Sequence, residues 1–143
     1  MPPSSADPDF HARVRRSFER QTFMAKLGAE LATVEPGHVV IELPFRDDLV
    51  QQHGYLHAGV VTSVADSACG YAALSLMRPG VNVLSVEFKV NLLAPASGER
   101  FRAVGRVVRA GRTLTVCAGE VYALREGAAL LVALMQATMM AVT

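Results

Sequence analysis

One carboxylate stands alone in the most apolar predicted helix of this sequence. Between residues 58 and 76 the chain consists mainly of Ala, Val, Leu and Ser, and Asp66 lies two turns inside with no Lys or Arg within a turn of it. A buried carboxylate without a cation is costly, and burial would raise its pKa, which suits a general base or a nucleophile. The same pattern also fits a structural hydrogen-bond hub.

The residues that open this helix could polarise a carbonyl group. His57, Ala58 and Gly59 form the predicted first turn, where amide N–H groups have no internal partner and carry a partial positive charge. The N–H of Ala58 or of Gly59 could therefore serve as an oxyanion hole. Gln51 and His57 flank this entrance, and either could orient a water molecule or a carbonyl. Alternatively, His57 could simply cap the helix.

Composition narrows the class of protein. The chain has 143 residues, 51% hydrophobic and 19% charged, with a net charge of +1. These values predict one packed domain and argue against disorder and against nucleic-acid binding. Cys69 and Cys117 lie in apolar stretches without partners at metal-ligand spacing, so we expect buried reduced thiols and no metal. The N-terminus lacks a secretory pattern and residues 128–142 are too short to cross a bilayer, which predicts a cytoplasmic protein with no membrane partner.

The remaining patterns predict the elements that position these residues. A surface helix over residues 8–23 has Phe10, Val14 and Phe18 at helical spacing. Strands are predicted over residues 27–33, 38–44, 82–93, 100–109, 113–124 and 128–142. The last segment is ambiguous, because its Ala, Leu and Met favour a helix by propensity while the short turn before it favours a strand, which we adopt. Strict alternation in the third strand puts Ser85 on the outer, polar face of the sheet.

This order of elements predicts an α+β domain, in which an antiparallel sheet curls around one buried helix. We assign residues 1–25 to an N-terminal extension that carries the surface helix, and residues 26–143 to the main domain. A sheet of this kind covers only its inner face with the helix. Its outer face and its edges therefore invite pairing with a second copy.

Two segments together carry a family resemblance. His57-Ala58-Gly59, with Asp66 seven residues beyond Gly59, and the later run of residues 86–95 (VEFKVNLLAP) resemble the hotdog-fold acyl-CoA thioesterases of the phenylacetic-acid-degradation type. The resemblance extends from about residue 27 to the C-terminus. It implies a curved antiparallel sheet wrapped around one long central helix, and homodimers, often paired into tetramers, with active sites between two subunits. It implies no cofactor, because coenzyme A is part of the substrate.

The resemblance also implies a role for each matching residue. Asp66 would be the general base or nucleophile, the Ala58 N–H would polarise the thioester carbonyl, and Gln51 would place water or substrate. Ser85 matches a hydroxyl residue contributed by the partner subunit. Two positions depart from the family pattern: Ala58 replaces the first glycine of His-Gly-Gly, and Gln51 stands where many relatives have Asn.

The substrate is less closely defined by the sequence. Coenzyme A carries phosphates, so Lys89, Arg109 and Arg112 are candidate contacts, although each could equally be an ordinary solvated charge. The aliphatic composition, with no Trp, favours a medium or long acyl chain over an aryl group. Two alternatives are a non-catalytic acyl-CoA binder or regulator, which Ala58 supports, and a hotdog dehydratase, whose motif spacing differs from the one found here.

Overall fold

The computed structural model describes residues 2–143 and contains three helices and six strands within them. In chain order these are α1 (Phe10–Arg20), α2 (Thr22–Leu27), β1 (Glu30–Glu35), β2 (His38–Pro44), α3 (Ala58–Leu74), β3 (Asn82–Leu92), β4 (Arg100–Ala110), β5 (Leu114–Arg125) and β6 (Ala128–Val142). The strands form one antiparallel sheet in the order β1-β2-β4-β5-β6-β3. Strands β1 and β3 are therefore its edges.

Helix α3 lies against the inner face of this curved sheet and forms the centre of the core. Val64, Ala68 and Cys69 of the helix are fully buried, as are Phe101 and Val121 on the facing strands. The predicted α+β fold, a curved antiparallel sheet wrapped around one long helix, is confirmed. Within the described residues, no helix has both the length and the apolar character needed to cross a membrane.

The N-terminal region forms two helices where one was predicted. The backbone at Gln21 is extended, with φ −82° and ψ 91°, and this separates α1 from α2. The strand predicted from residue 27 begins only at Glu30, because Leu27 ends α2 and Gly28 follows with a φ of 71°, a conformation that glycine adopts readily. Val14 of α1 packs into the common core. The division at residue 25 stays a prediction.

Arg13 of α1 ties the N-terminal region to the end of α3. Its guanidinium donates hydrogen bonds to the carbonyl oxygens of Leu74, Met77 and Arg78 at 2.7–2.8 Å. The same group lies 3.2 Å from the carboxylate of Asp7. The last carbonyl groups of a helix lack internal partners and carry a partial negative charge, so a cation stabilises them.

A β-bulge in β3 overturns the predicted alternation of that strand. The register against β6 shifts between Ser85, which lies opposite Met139, and Glu87, which lies opposite Thr138, so that Val86 is an extra residue. Met139 is buried beneath α3, and Ser85 therefore faces the helix. The prediction that Ser85 lies on the outer face was wrong, because strict alternation holds only where no residue is inserted.

Candidate active site

The start of α3 leaves one amide N–H free. The side chain of His57 caps the helix, with Nδ1 accepting a hydrogen bond from the Gly59 N–H at 2.8 Å. A Cβ atom at Gly59 would lie only 3.0 Å from that nitrogen, which explains the glycine. Of the two predicted oxyanion donors, the Gly59 N–H is therefore already bonded to the His57 side chain. The Ala58 N–H has no acceptor among the described residues.

An apolar cavity of about 470 Å³ opens beside Ala58. We call it the amide cavity; its lining includes Gln51, Leu56, Ala58, Val61, Val132 and residues 92–96. Gln51 is also structural, because its Oε1 accepts hydrogen bonds from the N–H groups of His53 at 2.6 Å and Tyr55 at 3.2 Å. The predicted residues Gln51, His57, Ala58 and Gly59 therefore do come together, at the start of α3.

Asp66 is half-buried, so the prediction of a buried carboxylate was wrong. One stripe of α3 is less covered than the rest, and Ser63, Asp66, Ser67 and Gly70 follow it at helical spacing. The Ser85 hydroxyl donates a hydrogen bond to Asp66 Oδ1 at 2.7 Å within the same chain. No cation among residues 2–143 forms an ion pair with this carboxylate. Asp66 and Ser85 thus form a polar pair that spans from α3 to β3.

This pair lies in a smaller polar cleft of about 170 Å³. We call it the carboxylate cleft; it is lined by Ser17, Gln21, Asp66, Ser67, Gly70, Tyr71, Val83 and Ser85. Sequence reasoning missed Ser17 and Gln21, because neither residue belongs to a motif and their approach to α3 depends on how the N-terminal helices dock.

The amide cavity and the carboxylate cleft are separate in one chain. Ala58 and Asp66 are eight residues apart on α3, which at 1.5 Å per residue is about 12 Å. Neither of the two cavities is lined by both residues. The carboxylate and the helix-start amide therefore do not meet in one cavity within a single chain.

The three predicted phosphate contacts do not converge within one chain. Lys89 Nζ donates to Asn91 Oδ1 at 2.8 Å, and both residues line a groove on the outer face of the sheet. Arg112 lies beside Arg78 at a different cavity, near the C-terminal end of α3. Arg109 is exposed on β4. Their role toward coenzyme A stays a prediction.

The two cysteines are buried and unreactive. Both are free and buried, as predicted. Burial raises the pKa of the Cys117 thiol to about 12. Burial, together with the nearby Cys117 and Asp66, raises that of Cys69 as well. Thiolates, not thiols, act as nucleophiles, so neither side chain is suited to that task.

Fold and site geometry together define a hotdog-fold protein with a hydrogen-bonded Asp66–Ser85 pair and a helix-start amide that has no acceptor among the described residues. Residues 53–129, more than half of the chain, match the family model described as the thioesterase superfamily. The chain belongs to the thioesterase superfamily. Its predicted membership of the hotdog-fold thioesterases, and hence of the thioester hydrolases, is confirmed.

Individual relatives agree with this assignment. A thioesterase family protein from Silicibacter pomeroyi has a TM-score of 0.92 and 53% identity, and the likeness covers 93% of this chain and 98% of that one. The PaaI protein of the E. coli phenylacetic acid degradation operon shares the fold, with a TM-score of 0.85, 19% identity and 97% of each chain covered. Acyl-coenzyme A thioesterase 13 of Homo sapiens is 30% identical over 102 residues, covering 69% of this chain and 68% of that protein. The matches span from 64% to 81% of the lengths of the curated relatives.

Proposed function

We propose that this chain hydrolyses acyl-CoA thioesters at sites shared between two copies. Asp66 and Ser85 of one copy would act on a thioester whose carbonyl oxygen is bound by the Ala58 N–H of the other. The observation that carries the proposal is the separation of the two half-sites within one chain. A carboxylate and an amide about 12 Å apart on one helix cannot both reach one carbonyl group.

The edge strand β3 supports this pairing. Ser85 of the carboxylate cleft lies near the start of β3, and Leu92, which lines the amide cavity, ends it. Leu84 and Val86 are more than half exposed on this 11-residue edge, and an exposed apolar edge is a template for pairing. Antiparallel pairing of β3 with β3 of a second copy, about a two-fold axis, would bring each carboxylate cleft beside the amide cavity of the other copy.

The chemistry follows from the groups at each half-site. Asp66 accepts a proton from water as the water oxygen attacks the thioester carbonyl carbon, or its carboxylate attacks that carbon directly to form a mixed anhydride, which water then hydrolyses to the acid and free Asp66. The negative charge that develops on the carbonyl oxygen is stabilised by the Ala58 N–H at the positive end of α3. The C–S bond then breaks and coenzyme A leaves as a thiolate, which takes up a proton. Ser85 holds Oδ1 of Asp66 and leaves Oδ2 for the reaction.

The amide cavity supports a medium or long acyl chain as the substrate group. Its walls include Leu56, Val61 and Val132, and its volume of about 470 Å³ lies within the usual range of small-molecule pockets. A human relative is an acyl-coenzyme A thioesterase by name. A panel of acyl-CoA chain lengths with one aryl-CoA tests this preference, and faster turnover of the aryl substrate would contradict it.

Asp66→Asn tests the central role of the carboxylate. The substitution keeps the shape and removes the base, so kcat should fall by roughly 10²–10⁴-fold. Thiol release is the measurement, and Asp48→Asn, at an exposed carboxylate in a loop, is the matched control. A folded Asp66→Asn protein with wild-type turnover would refute the role, and an acyl-CoA that survives prolonged incubation with the wild type would identify a binder instead.

A further inference from the structure

The N-terminal region contributes a polar side chain to the carboxylate cleft. Gln21, in the break between α1 and α2, accepts a hydrogen bond through Oε1 from the Ser67 hydroxyl at 3.0 Å. Its Nε2 donates to the Tyr71 hydroxyl at 3.0 Å. Both partners lie on α3, on either side of Gly70. The amide of Gln21 is therefore held in one orientation across the cleft by one bond at each end.

A second contact fixes the same wall of the cleft. The Ser17 hydroxyl donates to the Tyr71 hydroxyl at 3.3 Å, and the Tyr71 ring packs edge-on against Phe18, with ring centres 6.0 Å apart. Tyr71 is only 6% exposed. The position of Gln21 thus depends on a rigid aromatic residue and not on a mobile surface group.

The polarity of the cleft favours water over an alkyl-bearing nucleophile. At about 170 Å³ it has roughly a third of the volume of the amide cavity. Side-chain hydroxyl, amide and carboxylate groups of Ser17, Gln21, Asp66, Ser67 and Ser85 contribute to its lining. Such a lining can hydrogen-bond water, whereas an alkyl group placed there would leave polar groups unpaired, which costs free energy.

We propose that Gln21 is a positioning residue that closes the carboxylate cleft around the attacking water and excludes larger nucleophiles. This inference rests on the proposed function, because it concerns the second substrate of that reaction. In the normal step, water bonds to the acyl carbon, Asp66 accepts its proton and the thiolate leaves. In the competing step, an alcohol oxygen forms the bond to the acyl carbon, its proton goes to Asp66, and the product is an ester plus the same thiol.

Nucleophile partitioning tests this role. Turnover of an acyl-CoA substrate in buffer containing methanol yields the carboxylic acid and the methyl ester, which mass spectrometry quantifies. Gln21→Ala removes the side chain that crosses the cleft, so the ester-to-acid ratio should rise by roughly 10-fold, the lower end of what one methylene of pocket space is worth in discrimination. Arg16→Ala, at an exposed position on α1, is the matched control and should keep the wild-type ratio.

The ratio separates positioning from a structural role, because it is measured among completed turnovers and does not depend on how much protein is folded. Ser67→Ala, which removes the hydroxyl that donates to Gln21, provides a second variant if Gln21→Ala does not fold. A raised ratio in either variant, with the control unchanged, supports the inference. Wild-type ratios in every variant that folds overturn it. If wild-type protein releases no thiol from any acyl-CoA, the proposed function itself has failed.

Discussion

Gly105→Ala would test whether the position of α3 against the sheet controls both stability and activity. Gly105 lies on β4 where the strand meets the middle of the helix, and a Cβ atom there would be 2.3 Å from the carbonyl carbon and oxygen of Ala68. Favourable carbon contacts need about 3.5 Å, so strand and helix must separate by about 1 Å. Because backbone is on both sides, no side-chain rotation can relieve the clash.

The expected cost lies at the upper end of the range for overpacked cores, about 3 kcal/mol. For a domain of this size each kcal/mol lowers the unfolding temperature by about 2–4 °C, which gives a decrease of about 6–12 °C. Asp66 lies two residues before Ala68 and would move with the helix. A misplacement of about 1 Å can cost up to roughly 10²-fold in rate, so kcat should fall even where the variant is fully folded.

Thermal unfolding by circular dichroism and thiol release well below the transition are the measurements. Gly119→Ala is the matched control: Gly119 pairs with Gly105 across β4 and β5, but its Cβ would meet the Cys69 Sγ atom at 3.0 Å, a side chain that can shift. We expect a smaller decrease in stability for this control. Equal unfolding temperatures for wild type and Gly105→Ala would refute the reasoning.

Three further predictions follow from the packing of α3. Gly70→Ala should raise the free energy of unfolding by about 0.5–1 kcal/mol, because alanine is the better helix former and its Cβ would meet only Met139 Sδ at 4.0 Å; a loss of stability in chemical denaturation would contradict this. Arg13→Ala should lower the free energy of unfolding by about 1.5–3 kcal/mol, since charged hydrogen bonds to the end of α3 are lost, whereas a surface arginine such as Arg16 should cost little. For Cys117, the pKa of the thiol is 9.0 in the unfolded state and about 12 in the folded, buried state. The unfolded state therefore loses its proton first, and the free energy of unfolding should fall as the pH rises from about 9 to about 12. Denaturant titrations at several pH values should show a shallower decrease in the free energy of unfolding for Cys117→Ala than for the wild type. Identical pH profiles for the two proteins would contradict the assignment.

Local pattern was sufficient for most of the fold. The bounds predicted for β2 and β6 agree with the structure. Strand β6 forms despite its helix-favouring Ala, Leu and Met because it pairs with β5 on one side and β3 on the other, and these tertiary contacts outweigh intrinsic propensity. The apolar run of residues 58–76 likewise identified α3.

The parts of the site that could not be predicted depend on contacts between distant segments. The contact of Gln21 with α3 depends on the docking of two short helices, and no residue pattern near Gln21 signals it. Asp66 was predicted to be buried because its neighbours in sequence are apolar, but the exposed stripe of α3 is a property of what the sheet leaves uncovered. The bulge at Val86 likewise has no signal in the sequence, because apolar and polar residues alternate without interruption on either side of it.

That bulge has a consequence for how the chain can change over evolutionary time. The bulge determines which side chains of β3 face the helix. Ser85, before the bulge, faces α3, while Lys89, four residues later, faces away from it. If β3 kept its present length and paired regularly from Glu87 backwards, Ser85 would lie opposite Met140 and its hydroxyl would turn outward, away from Asp66. Deleting Val86 would instead restore a regular strand and leave Ser85 opposite Met139, facing α3. The identity of a side chain and the pairing of its strand are thus separate requirements. A gap of one codon at Val86 could keep the hydrogen bond to Asp66, whereas loss of the bulge at full strand length would remove it while Asp66 and Ser85 both remained in the sequence.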